Sequence, residues 1–103
     1  MSASCTVTQD GETCLVSGSL DFLTTRSALD QLGPMVGDNK RLTINFGGVS
    51  RSNSAALALM VELQGIARRA GHDVSFDEVP VGLQQLAKVC QVDGLLSVDG
   101  PLS

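Results

Sequence analysis

The chain opens on short runs rich in β-branched and apolar residues. Cys5 to Gln9 and Glu12 to Ser17 read as two β-rich runs, and Asp10-Gly11 between them supplies the tight turn of a hairpin. From Thr24 to Leu32 the pattern changes. Ala28, Leu29 and Leu32 share a helical face, Thr24 is placed to cap its start, and Gly33-Pro34 is the expected stop. Lys40 to Phe46 alternates, with Leu42, Ile44 and Phe46 on one side and Arg41, Thr43 and Asn45 on the other, and Gly47-Gly48 is the expected end. Ala55 to Ala70 contains no proline and many strong helix formers, and Gly71 ends it. His72 to Val79 predicts a further strand through Val74 and Phe76. Beyond Pro80 the spacing of Leu83, Leu86, Ala87 and Cys90 predicts a last helix. The tail from Ser97 to Ser103 carries little pattern. The order β-β-α-β-α-β-α, with no internal repeat or linker, predicts helices packed on a mixed sheet.

On the long second helix, ~100° per residue places Ala56, Leu59, Leu63, Ile66, Ala67 and Ala70 on one face, read as the core side. Leu57 and Val61 then point away, beside Gln64 and Arg68. Two apolar residues one turn apart on an outward face predict a protein interface.

Composition narrows the function classes. At 103 residues the chain has the length of one domain, expected to span 1–103. Its 43% apolar and 17% charged residues include three Phe and no Tyr or Trp, so the core must be mostly aliphatic. A net charge of −4 and a pI near 4.6 oppose nucleic-acid binding, which depends on Lys and Arg displacing counterions. The longest apolar run, Ala55 to Val61, is far shorter than the ~20 residues that span a bilayer, and the opening MSASCTVTQD lacks the marks of a secretory signal. The expected compartment is the cytoplasm. Cys5, Cys14 and Cys90 lack metal-ligand spacing and read as buried thiols, and His72 is the only histidine, so neither a metal nor a cofactor is expected. One His, no Tyr and no converging acidic pair also disfavour catalysis. Gly47-Gly48 with Ser50, Ser52 and Ser54 lacks a Walker lysine and a dinucleotide glycine pattern, and a turn with a helix cap explains it more simply.

The run from Ile44 to Leu59 resembles the central signature of the STAS family, the domain shared by anti-sigma factor antagonists and sulfate transporters. There a strand and turn lead into an Asp-Ser-Ser-Gly or Asp-Thr-Gly-Gly motif and an apolar helix. Asn53-Ser54-Ala55-Ala56 occupies the motif here, and Gly18-Ser19-Leu20-Asp21 is similar to the family's second marker. The resemblance implies an α/β STAS fold, a mixed sheet of about four strands packed against three or four helices. Asn53 replaces the motif's Asp, keeping a cap acceptor without the charge. Ala55-Ala56 replaces glycine, so close backbone approach is less available. Both departures fit a domain that no kinase regulates.

Val49-Ser50-Arg51, Leu57-Ala58-Leu59 and Leu86-Ala87-Lys88 look most like the small cytoplasmic STAS subunits of the Mla phospholipid-transport ABC complex. That resemblance implies a non-catalytic accessory subunit that docks on the transporter's ATPase, meets the membrane only through the complex, and serves outer-membrane lipid asymmetry. The expected partner surface is Arg51, Ser52, Asn53, Ser54, Leu57 and Val61. The alternative is an anti-sigma factor antagonist phosphorylated at Ser54. In either case Ser54 also reads as helping to satisfy the free N–H groups at the helix start.

Overall fold

The computed structural model describes residues 4–92 and 98–99. β1 (Cys5–Asp10) and β2 (Thr13–Leu20) form the expected hairpin, with Asp10 opposite Thr13. Gly11, at φ +63°, takes the first central position of the two-residue turn, where a type II′ connection needs glycine. α1 (Thr25–Asp38), β3 (Arg41–Ser52), α2 (Ser54–Ala70), β4 (Asp73–Asp77) and α3 (Val81–Val89) follow, and β5 (Val98–Asp99) adds two residues beside β4. The expectation that the tail forms no element is corrected at those two positions, and the rest of 97–103 lies outside the described residues.

The sheet runs β1-β2-β3-β4-β5, antiparallel at the hairpin and parallel elsewhere, so the mixed α/β sheet is the one expected, with a short fifth strand. Cys14, Val16, Leu42, Ile44, Phe46, Val74 and Phe76 form its buried face, as the alternation requires. The opposite face carries Thr8, Thr43, Asn45 and Ser75, and Thr43 Oγ1 lies 3.1 Å from Ser75 Oγ.

Three expectations about the longer elements are corrected. α1 does not stop at Gly33-Pro34 but continues to Asp38. Fully buried Val36 extends the Ala28–Leu32 face, and a Cβ on Gly33 would meet Ile66 Cδ1 at 3.4 Å, so this glycine is where α1 rests on α2 rather than where it ends. Proline still removes one helical hydrogen bond. Pro34→Ala is therefore expected to stabilise the chain by about 2 kcal/mol, the helix penalty of proline less its effect on the unfolded chain, read as a raised thermal midpoint.

β3 does not end at Gly47-Gly48 either. It runs on to Ser52 beside the second half of β2, with register shifts between Leu15 and Ser17 and between Gly18 and Ser19 that accommodate an extra β3 residue each. A Cβ on Gly48 would lie 2.8 Å from Ser17 Oγ, so the close approach of the two strands requires glycine there.

The third correction concerns α2. Ala56, Leu59, Leu63 and Ala67 are buried as expected, but Ile66 is only half-buried and Ala70 is exposed. Leu57, expected to face solvent, is 7% exposed, and Val61 packs half-buried against the core. α2 rests on the sheet between α1 on one flank and α3 on the other, so its apolar arc is wider than one face. Its C-terminus matches the reading. Gly71 is left-handed at φ +73° and donates to Arg68 O, and His72 N–H reaches Ala67 O, a Schellman end.

The thiols divide by environment. Cys14 is buried with its Sγ 3.4 Å from Met35 Sδ, Cys5 is half-buried, and Cys90 is exposed, which corrects the reading of all three as buried. Burial pushes the Cys14 and Cys5 thiols above the ordinary range. Iodoacetamide at neutral pH is accordingly expected to modify Cys90 first and Cys14 only on unfolding, a sequence that peptide mass mapping reads directly.

Candidate functional site

Two turns meet at one end of the sheet. Leu20 pairs with Ser52, and Asn53 N–H donates to Leu20 O at 3.3 Å, so the end of β3 is tied to the end of β2. One turn continues into α2 and the other into α1. At the first, Asn53 is the cap: its Oδ1 accepts from Ala55 N–H at 2.9 Å, and its carbonyl accepts from Ala56 N–H. Ser54 is the first helical residue, exposed, and its hydroxyl bonds to no described residue. The capping role expected of Ser54 thus belongs to Asn53 alone. Arg51 and Ser52 are exposed beside it.

The second turn is built by Asp21 and Thr24. Asp21 Oδ1 accepts from the N–H groups of Leu23 (2.8 Å) and Thr24 (3.1 Å). The Thr24 hydroxyl donates to Ser19 O at 2.7 Å and accepts from Asp21 N–H. Thr24 therefore does not cap α1 with its side chain, as expected, but locks the turn back onto β2. The lock leaves Phe22 and Leu23 projecting, 73% and 82% exposed.

Sequence reasoning missed these two residues. Their signal was available: two large apolar side chains between a turn-forming Asp and Thr, off the helical period. Phe22 also heads a groove of about 320 Å³ between the helices, walled by Thr25, Arg26 and Leu29 of α1 and Ala55, Ala58, Leu59 and Glu62 of α2. Of the six sequence-derived positions, Arg51, Ser52, Asn53 and Ser54 form one exposed surface beside Phe22 and Leu23. Leu57 is withdrawn into the core and Val61 is half-covered.

The groove walls offer no nucleophile with a paired base. Among the described residues no group of three or more His, Cys, Asp or Glu is gathered to hold a metal, and no helix is long and apolar enough to cross a membrane. His72 stands far along the chain from this end, half-buried, its Nδ1 3.1 Å from Val36 O. Exposed aromatic and aliphatic side chains beside polar groups with free hydrogen-bonding capacity suit contact with another macromolecule.

A family model described as "Mlab, STAS domain" matches residues 5–97. The chain belongs to the STAS family. Solved structures share the fold across nearly the whole STAS domain. The anti-sigma factor antagonist SpoIIAA in its unphosphorylated form superposes with a TM-score of 0.69 at 10% identity, covering 96% of this chain and 89% of that one. An anti-sigma factor antagonist from Mycobacterium paratuberculosis gives 0.68 at 17% identity, over 98% and 87%. A STAS domain protein from Planctomyces limnophilus gives 0.60 at 14%, over 98% and 92%. No curated protein matches the sequence significantly. At these identities the structural likeness establishes an anti-sigma factor antagonist-like fold and nothing finer. Within the STAS domain, Asn53 caps α2 and Ser54 opens it, and Gly18-Ser19-Leu20 ends β2 with Asp21 in the adjoining turn.

Proposed function

We propose that this STAS domain is a non-catalytic cytoplasmic accessory subunit that docks on the ATPase of an ABC phospholipid transporter and stabilises its assembled form. The observation that carries the docking reading is the exposure of Phe22 and Leu23 directly beside Arg51–Ser54, an apolar patch with a polar rim at the family motif. The choice of partner is supported by the Mla-type description of the matching family model together with the subfamily cues in the sequence. In this role the membrane is reached only through the complex, and the service to the cell is outer-membrane lipid asymmetry.

Two-turn construction suits such work. Asp21, Thr24 and Asn53 each spend their side chains on fixing backbone, so the patch is presented with little left to order on binding. Affinity purification of the tagged chain from its native cells is the test. Recovery of an ABC ATPase is the expected result, and its absence under conditions that preserve transporter complexes would contradict the reading.

A second reading, an anti-sigma factor antagonist switched by phosphorylation, is favoured by one observation: the Ser54 hydroxyl is exposed and free of described partners. It requires a mass increase at Ser54 when the chain meets its cognate kinase and ATP, and recovery of a kinase in place of the ATPase.

A further inference from the structure

Among the described residues β1 is the terminal strand of the sheet, and it is an unusually bare edge. Edge strands in natural proteins are normally blunted by charge, proline, bulges or shortness. The opposite end of this sheet follows that rule: β5 has two residues, and β4 is bounded by Asp73 and Asp77 with Pro80 close behind. β1 does not. Its single charge is Asp10 at the turn end, it has no proline, three of its six residues are β-branched, and its ladder with β2 is unbroken from Cys5 to Asp10.

The direction of its main-chain groups follows from the ladder. Ser19 N–H donates to Ser4 O at 2.9 Å, and antiparallel pairs alternate between bonded and non-bonded, so Thr6, Thr8 and Asp10 turn their N–H and C=O groups toward β2. Cys5, Val7 and Gln9 turn theirs outward. We infer that this edge receives β1 of a second copy of the chain, antiparallel, about a two-fold axis at Val7.

That register is self-consistent. Val7 faces the partner's Val7 and Cys5 faces the partner's Gln9, so all three outward-turned residues of each strand fall in bonded pairs. Centring the axis one residue away, on Thr8, would set Cys5 opposite the partner's Gly11 in the hairpin turn, so only Val7 and Gln9 of each strand would keep strand partners. Cys5 and Val7 lie half-buried on the helix-covered side, where pairing continues the core layer across the axis. Asp10, the strand's single charge, falls opposite Ser4, whereas a parallel arrangement would stack it on its own copy. β2 separates this edge from β3, so the Arg51–Ser54 surface stays free, and the inference does not depend on the proposed function.

Sedimentation equilibrium and amide hydrogen exchange on the purified full chain, from micromolar to millimolar concentration, test it. The expected result is a mass rising toward that of a dimer, with the amides of Cys5, Val7 and Gln9 becoming slow only at high concentration while those of Thr6 and Thr8 are slow throughout. Thr6 would sit across from the partner's Thr8 on the exposed sheet face, so Thr6→Lys with Thr8→Lys brings ammonium groups together and should weaken pairing about tenfold or more with the melt unchanged. A mass that stays monomeric, protection at another surface, or a dimer indifferent to both lysines would overturn the inference. So would protection of these amides that appears only when the ATPase is added, which would assign the edge to the partner.

Discussion

Ser54→Glu is expected to lose the ATPase and keep its melting temperature. Ser54 opens α2, is exposed, and gives its hydroxyl to no described residue, so the isolated fold loses nothing when it is replaced. The first turn of α2 holds no acidic residue, and a carboxylate there should favour the helix by about 0.3–1 kcal/mol through the dipole. In the complex the balance reverses. An unpaired charge at the centre of a dry interface costs about 3–5 kcal/mol, a loss of a hundredfold or more in affinity. Ser54→Arg should behave the same way, while Ser54→Ala removes at most one hydrogen bond of about 0.5–1.5 kcal/mol. Calorimetric titration against the purified ATPase beside thermal melts reads both quantities. Native affinity in the Glu and Arg variants would remove Ser54 from the interface.

Leu57→Asp is expected to unfold the chain. At 7% exposure Leu57 belongs to the same cluster as Leu59 and Leu63, at 3% and 0%. A carboxylate at any of the three would replace an apolar side chain enclosed in the core cluster. The cost, several kcal/mol, is comparable to the whole ~5–15 kcal/mol stability of a small domain. Circular dichroism should show Leu57→Asp, Leu59→Asp and Leu63→Asp unfolded alike. A folded Leu57→Asp would mean that this flank of α2 opens to solvent in solution.

What the sequence made legible were features decided within a few residues. The alternation of Leu42, Ile44 and Phe46, the Asp10-Gly11 turn and the Gly71 stop are local and were read correctly. Errors arose where a distant element overrides a local signal. Gly33-Pro34 reads as a stop until Ile66 of α2 is seen resting on Gly33. Gly47-Gly48 reads as a strand end until the second half of β2 arrives to pair with Val49–Ser52. Leu57 faces outward on a wheel that assumes one buried face, but α2 has helices on both flanks. The candidate site was half legible for the same reason. Asn53 and Ser54 follow from the motif, whereas Phe22 and Leu23 join them only because Leu20 and Ser52 pair.

The central claim is that the two turns at this end of the sheet form the docking face. Amide hydrogen exchange of the STAS domain, free and saturated with the purified ATPase, tests it most directly. The account predicts slowed exchange confined to 22–26 and 51–62, with Thr8, Leu15 and Asn45 on the open sheet face unchanged. Protection centred on that open face, with 51–54 exchanging as in the free chain, would contradict it.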